Sequence, residues 1–262
     1  MPHATARPTF VLLHPLGGSA RSWDDLRPHL TPVGKCLALD LPGFGDLAAR
    51  GASSVQATLT HLQDRVRAEV AGPWVVVGHS MGGKFATLMA ATRPEGLAGV
   101  VLIAGSPPSP EPIDEARRRT MLGWVADGPM TADHAREFLS GNTAGPLPSA
   151  CADRMVADLC RTSPAAWTGW LTEGVAEDCR AQVPVMDVPA LILAGQSDGD
   201  LGPGAQRRLN RPFYAKGTVE VIDDAAHLIP QEQPAAVAAQ IAALWRRAAG
   251  GRDGPSRVER AH

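Results

Sequence analysis

The sequence predicts an α/β fold: a mostly parallel sheet of about six strands, helices on both faces, and a helical cap inserted between two strands. Three observations carry this. Short apolar runs alternate with helical patterns along most of the chain. Those runs lack polar alternation, as strands buried on both faces do. And one long stretch, Pro107 to Pro189, contains helical segments punctuated by Pro and Gly but no strand pattern.

The six apolar runs are Thr9 to His14, Lys35 to Asp40, Trp74 to Gly78, Gly99 to Ala104, Ala190 to Gly195 and Thr218 to Asp223. Val55, Leu59, Leu62, Val66 and Val70 recur at helical spacing behind a cap at Ser53 or Ser54. A last helix is expected beyond Pro234, ending near Arg247. The cap segments read as Ile113 to Ala126, Thr131 to Leu139, Ala150 to Arg161 and Ala165 to Glu177. The expected division is therefore a core of residues 1–106 and 190–248, a cap of 107–189, and a polar, Gly-rich tail of 249–262 that reads as disordered.

Composition excludes several classes. A net charge of −2 in 262 residues gives no reason to expect nucleic acid or an anionic membrane as partner. No stretch has the length of a membrane span, and residues 1–13 carry no secretion signal, so a cytoplasmic monomer or homodimer is expected. The four cysteines (Cys36, Cys151, Cys160, Cys179) lack metal-ligand spacing and read as free thiols, so neither a metal nor a cofactor is expected.

The chemistry starts at Gly78-His79-Ser80-Met81-Gly82, between an apolar strand and a segment of small, helix-forming residues. A G-x-S-x-G in that context is a nucleophile elbow, a turn tight enough to hold its serine in strained backbone angles. The chain supplies its own control. Gly195-Gln196-Ser197-Asp198-Gly199 also matches, but loop chemistry, Asp200 to Gly204, follows it. Ser80 is therefore the expected nucleophile and Ser197 a loop residue.

A serine nucleophile needs a base, and the base an orienting acid. Among the eight histidines, His3 and His262 lie at the chain ends, and His29, His61 and His134 fall within helical patterns. His14 ends a strand, and His79 is beside the nucleophile; both are kept as candidates for lining the substrate site. His227 stands in the loop after the sixth strand, at the carboxyl edge where a base belongs. Asp198, just beyond the fifth strand, completes the order Ser…Asp…His. Asp200 is the next candidate for the acid, then Asp223 or Asp224.

Further motifs surround these residues. His14-Pro15-Leu16-Gly17-Gly18-Ser19 looks like an H-G-x-x-G-S oxyanion loop, and Asp40-Leu41-Pro42-Gly43-Phe44-Gly45 like a D-x-P-G-x-G turn. Gly195 to Asp198 and HLIPQEQP from His227 to Pro234 look like G-x-x-D and H-x-x-x-x-E-x-P. With these the chain resembles the α/β-hydrolase superfamily from about Thr9 to Arg247, in particular its cap-bearing esterases, lactonases and C–C hydrolases. The resemblance implies a Ser80–His227–Asp198 triad and an oxyanion hole formed by the backbone N–H groups of Leu16 and Met81. Two departures stand out. Pro15 replaces the usual Gly, although the implied donor is the next residue, Leu16. The chain also has no room before Thr9 for an opening β-hairpin, hence about six strands rather than eight.

The expected reaction is hydrolysis of a small to medium uncharged ester or lactone through an acyl-enzyme, with water as second substrate. Because the base must start neutral, kcat/KM is expected to fall as pH drops through about 6–7. Trp124, Phe138, Trp167 and Trp170, with Met121, Met130 and Met155, suggest an apolar roof over the nucleophile. No Arg or Lys is assigned to the pocket, and Lys84 is expected at the surface or in a salt bridge. C–C hydrolase, lyase or cofactor-free perhydrolase chemistry and a receptor-like binding role are the alternatives.

Overall fold

The computed structural model describes residues 7–250. Six strands form one parallel sheet: β1 (Thr9–Leu13), β2 (Lys35–Leu39), β3 (Trp74–His79), β4 (Leu97–Ile103), β5 (Ala190–Gly195) and β6 (Gly217–Ile222), in the order β2-β1-β3-β4-β5-β6. Every pairing is parallel, with β1 against β3 running from Thr9–Trp74 to Leu13–Gly78. Alternate residues of the central strands enter two separate apolar layers. Phe10, Leu12, Val75, Val77, Val101, Ile103, Leu191 and Leu193 pack with Trp23, Leu26, Ile241 and Leu244 on one face. Val11, Leu13, Val76, Val100, Leu102 and Ile192 pack on the other with Leu59, Leu62, Phe85 and Leu88. Burial on both faces is why these strands read as continuous apolar runs.

Among the described residues six helices cover the sheet; three fall where helical segments were expected, behind Ser54, after Ser80 and beyond Pro234, and one begins at Pro203, inside a stretch expected to be loop. The six are α1 (Arg27–Leu30), α2 (Val55–Glu69), α3 (Met81–Ala91), α8 (Pro203–Leu209), α9 (Ile229–Glu232) and α10 (Pro234–Gly250). Ser54 caps α2 by accepting from Ala57 N–H at 3.1 Å. The segment between β4 and β5 is helical throughout: α4 (Glu115–Gly123), α5 (Ala132–Ser140), α6 (Ser149–Arg161), α7 (Pro164–Gly169) and a π-helical turn, Trp170–Gly174. No residue type marks that π turn within the expected Ala165–Glu177 helix. Of the expected tail, Ala249 and Gly250 belong to α10, and 251–262 lie outside the described residues.

Candidate active site

The strand-to-helix turn at Ser80 is the most constrained point of the backbone. Ser80 has φ 49° and ψ −119°, a combination that L-residues rarely adopt. A Cβ on Gly78 would lie 2.3 Å from Gly82 O, and one on Gly82 would lie 2.3 Å from Leu13 O. Both positions therefore require glycine for close approach. Ser80 N–H donates to Ile103 O at 2.9 Å and Ser80 O accepts from Ser106 N–H at 2.9 Å, so β4 and the chain beyond it clamp the turn.

The three residues separated in sequence meet here. His227 Nδ1–H donates to Asp198 Oδ2 at 2.8 Å, and Ser80 Oγ–H donates to His227 Nε2 at 2.9 Å. The carboxylate acts only as acceptor, which places the imidazole proton on Nδ1 and leaves Nε2 to accept. Burial pushes the Asp198 carboxyl up, but the His227 hydrogen bond, the imidazole and Leu201 N–H outweigh it and hold the group below its ordinary value. Asp200 lies outside this chain of contacts: its Oδ2 accepts from Arg117 Nη1 at 3.0 Å.

The other histidines act on backbone. His14 is fully buried; its Nε2 accepts from Leu41 N–H at 3.0 Å, so Nδ1–H donates to Pro15 O at 2.8 Å. It thus ties the end of β1 to the end of β2. His79, also fully buried, donates from Nε2–H to His227 O at 2.8 Å, and burial followed by the nearby His227 lowers its pKa to about 3. Neither lines the cavity, contrary to the expectation for both. The loop of Leu16 is held from the side by Ser19, whose hydroxyl donates to buried Asp158 Oδ2 of α6 at 2.6 Å. Among the described residues no group accepts from Leu16 N–H.

A cleft open to solvent contains Ser80, His227 and Asp198. Leu16, Met121, Phe138 and Trp170 supply its apolar wall, which matches the expected roof in part. Trp124 and Trp167 do not reach it. They stack with Phe138 and His134 in an aromatic cluster, and fully buried Trp167 donates from Nε1–H to Met121 O at 2.9 Å. Met130 and Met155 are likewise core residues of the helical segment. A second cleft lies across Trp170, lined by Met81, Phe85, Phe44 and Val55 among others.

Charged residues were the least legible part. Arg117 reaches the cavity wall, with Nη2 donating to Asn142 Oδ1 at 2.7 Å, and Glu111 is there too. Asn142 O accepts from both His227 N–H (3.0 Å) and Leu228 N–H (3.1 Å). Glu232 bridges the same two loops, accepting from Ala144 N–H at 2.6 Å and Ala226 N–H at 3.0 Å. Lys84 is not at the surface. It is fully buried, donates to Gly174 O (2.7 Å) and Glu177 O (3.1 Å), and lies over the Trp170 ring. Glu232 had a motif to announce it; Asn142, Arg117 and Lys84 had none.

Comparison with known proteins agrees with this fold. A model described as "Alpha/beta hydrolase family" matches residues 10–240. The pimeloyl-[acyl-carrier protein] methyl ester esterase of Sodalis glossinidius is 30% identical over 198 residues, 72% of this chain and 75% of that protein. The 2-succinyl-6-hydroxy-2,4-cyclohexadiene-1-carboxylate synthase of Enterobacter sp. (strain 638) is 29% identical over 247 residues, 91% of this chain and 92% of the relative. In fold, the chain is similar to an esterase from Exiguobacterium antarcticum, with a TM-score of 0.80 at 15% identity, covering 91% of this chain and 92% of the other. Among the described residues no helix is long and apolar enough to cross a membrane. The chain belongs to the alpha/beta hydrolase family.

Proposed function

We propose that the protein is a carboxylic ester hydrolase in which Ser80, His227 and Asp198 form the catalytic triad. The observation that carries this reading is the unbroken relay from Ser80 Oγ to His227 Nε2 at 2.9 Å and from His227 Nδ1 to Asp198 Oδ2 at 2.8 Å. His227 takes the hydroxyl proton as Ser80 attacks the ester carbonyl, and Asp198 keeps the imidazole in the required tautomer and stabilises its cation. The backbone N–H groups of Leu16 and Met81 hold the oxyanion, each such donor lowering the barrier by about 3–4 kcal/mol. His227 then returns the proton to the leaving alcohol, and water activated by the same imidazole releases the acid.

The helical segment 107–189 serves as the cap. It supplies Phe138 and Trp170 to the cavity and Asn142 to the His227 loop. Small to medium esters and lactones are the substrate class in this reading, for a wall that sets Leu16, Met121, Phe138 and Trp170 beside Arg117 and Asn142. The methyl ester esterase relatives support the ester class, and the synthase relative keeps a non-hydrolytic reaction as the rival.

The test is a panel of p-nitrophenyl esters and lactones with wild-type and Ser80→Ala protein. Turnover that disappears in Ser80→Ala is expected. Ester turnover that survives it overturns the Ser80 assignment, and a wild-type chain that turns over no ester or lactone overturns the hydrolase reading.

A further inference from the structure

One acid in the wall of the Ser80 cavity has no part in the triad. Glu111 lies between β4 and α4, and its N–H donates to Val175 O at 2.8 Å, which fixes its backbone to the far end of the cap. Its side chain lines the cavity together with Ser80 and His227. Glu111 is partly exposed; its Oε2 atom is buried, its Oε1 is not, and among the described residues neither oxygen has a hydrogen-bond partner. The neighbouring Ser106 hydroxyl is buried and unpartnered as well, close enough to favour the carboxylate but not at hydrogen-bonding geometry. Buried polar groups without partners weaken a fold, so their presence beside a nucleophile calls for an explanation.

The other polar groups of this wall are already engaged. Arg117 is held by Asp200 and Asn142, the Asn142 amide donates to Phe138 O at 2.6 Å, and Asp198 is held by His227. Of the three acids of this wall, Glu111 is the one whose carboxyl accepts no hydrogen bond among the described residues. Burial pushes its carboxyl above the ordinary range, against the opposing pull of Ser106, His227 and Lys84. In either protonation state the group keeps a lone pair that can accept.

Chemistry gives the cavity a direction. The imidazole that deprotonates Ser80 must later protonate the leaving oxygen, so the alcohol half of an ester lies on the His227 side. That is the cavity containing Glu111, whereas Met81 faces the second cavity across Trp170.

We propose that Glu111 recognises the alcohol half of the substrate by accepting a hydrogen bond from a hydroxyl on it, so that esters of diols and polyols are preferred over esters of simple alkanols. This rests on the ester-hydrolase reading. An alkanol ester leaves the Glu111 acceptor unpaired, and a site built to pair a substrate hydroxyl discriminates strongly against an analogue that lacks it.

The experiment compares 2-hydroxyethyl butyrate with propyl butyrate, which differ by OH against CH₃. In wild type, kcat/KM is expected to favour the hydroxylated ester by about ten-fold or more. Glu111→Gln, which retains an acceptor, keeps much of that ratio; Glu111→Leu brings it close to one. A wild-type ratio near one, or a ratio unchanged in Glu111→Leu, overturns the proposal. Fluorophosphonate labelling of Ser80 shows that each variant is folded, and Glu111→Met replaces Glu111→Leu if the latter does not fold.

Binding to Ser80→Ala by calorimetry removes the dependence on turnover: tighter binding of 2-hydroxyethyl butyrate should vanish when Glu111→Leu is added. If neither ester is hydrolysed but this difference persists, the hydrolase reading fails and the Glu111 site stands. If both are hydrolysed equally well, Glu111 recognition fails and the hydrolase reading stands.

Discussion

At the scale of single residues, the two acids near His227 separate by geometry. Asp198 meets the imidazole at 2.8 Å, and Asp200 is turned to Arg117. Asp198→Asn should lower kcat by about 10³–10⁴-fold through loss of the correct tautomer, whereas Asp200→Asn should cost less than about ten-fold. Steady-state kinetics on both variants decides, and comparable losses would remove the assignment. Lys84 makes a different prediction. Lys84→Met keeps the length of the side chain but leaves the carbonyls of Gly174 and Glu177 unpaired in a buried site. Urea unfolding should show a loss of about 1–3 kcal/mol, and an unchanged midpoint would mean that those carbonyls find other partners. Ser80, His227 and Asp198 were legible because an elbow, a strand-end loop and chain order define them locally. Lys84 was not: one turn beyond Ser80 on α3, it carries no local mark of burial, and only the incoming cap carbonyls explain it.

At the scale of elements, the helical segment between β4 and β5 holds the loop of His227. Asn142 O accepts from His227 and Leu228 N–H, and Glu232 accepts from Ala144 on one side and Ala226 on the other. Glu232→Leu strands both N–H groups and should lower kcat more than it raises KM, by about ten-fold, since a small displacement of the base weakens proton transfer. A KM effect with kcat intact would assign Glu232 to substrate binding instead. The central strands were legible because each buries both faces and so reads as an unbroken apolar run, whereas the edge strands β2 and β6 are partly exposed. The cap was legible only as helices. Its helices follow apolar periodicity, but which of its aromatic residues face the nucleophile depends on how it packs down. Phe138 and Trp170 reach the cavity, while Trp124 and Trp167 pack inside the cap. The Trp170–Gly174 π turn, a feature often found near functional sites, left no trace in residue type.

At the scale of the whole molecule, a parallel sheet gathers its strand ends at one edge, which is how positions 80, 198 and 227 come together. The same packing sets the response to acid. Burial lowers the pKa of His79 to about 3, and burial also lowers that of His14. Below the unfolded value of 6.5, the unfolded chain takes up protons that the native state refuses. The His79 contribution to stability is therefore fully present above that value and falls as pH decreases toward 3, with a slope of up to about 1.4 kcal/mol per pH unit; His14 acts in the same direction. His79→Gln, which can still donate to His227 O, should flatten the dependence of unfolding free energy on pH between 6 and 4. An unchanged slope would exclude His79 as a source.

The central claim is that the Ser80 hydroxyl is made reactive by His227 and Asp198. The most direct measurement is the rate of fluorophosphonate labelling at neutral pH, with the modified peptide mapped by mass spectrometry. The account predicts a single adduct on Ser80, labelling slowed by about 10³-fold or more in His227→Ala, and none in Ser80→Ala. An adduct on another residue, or a Ser80 rate that His227→Ala leaves unchanged, would contradict it.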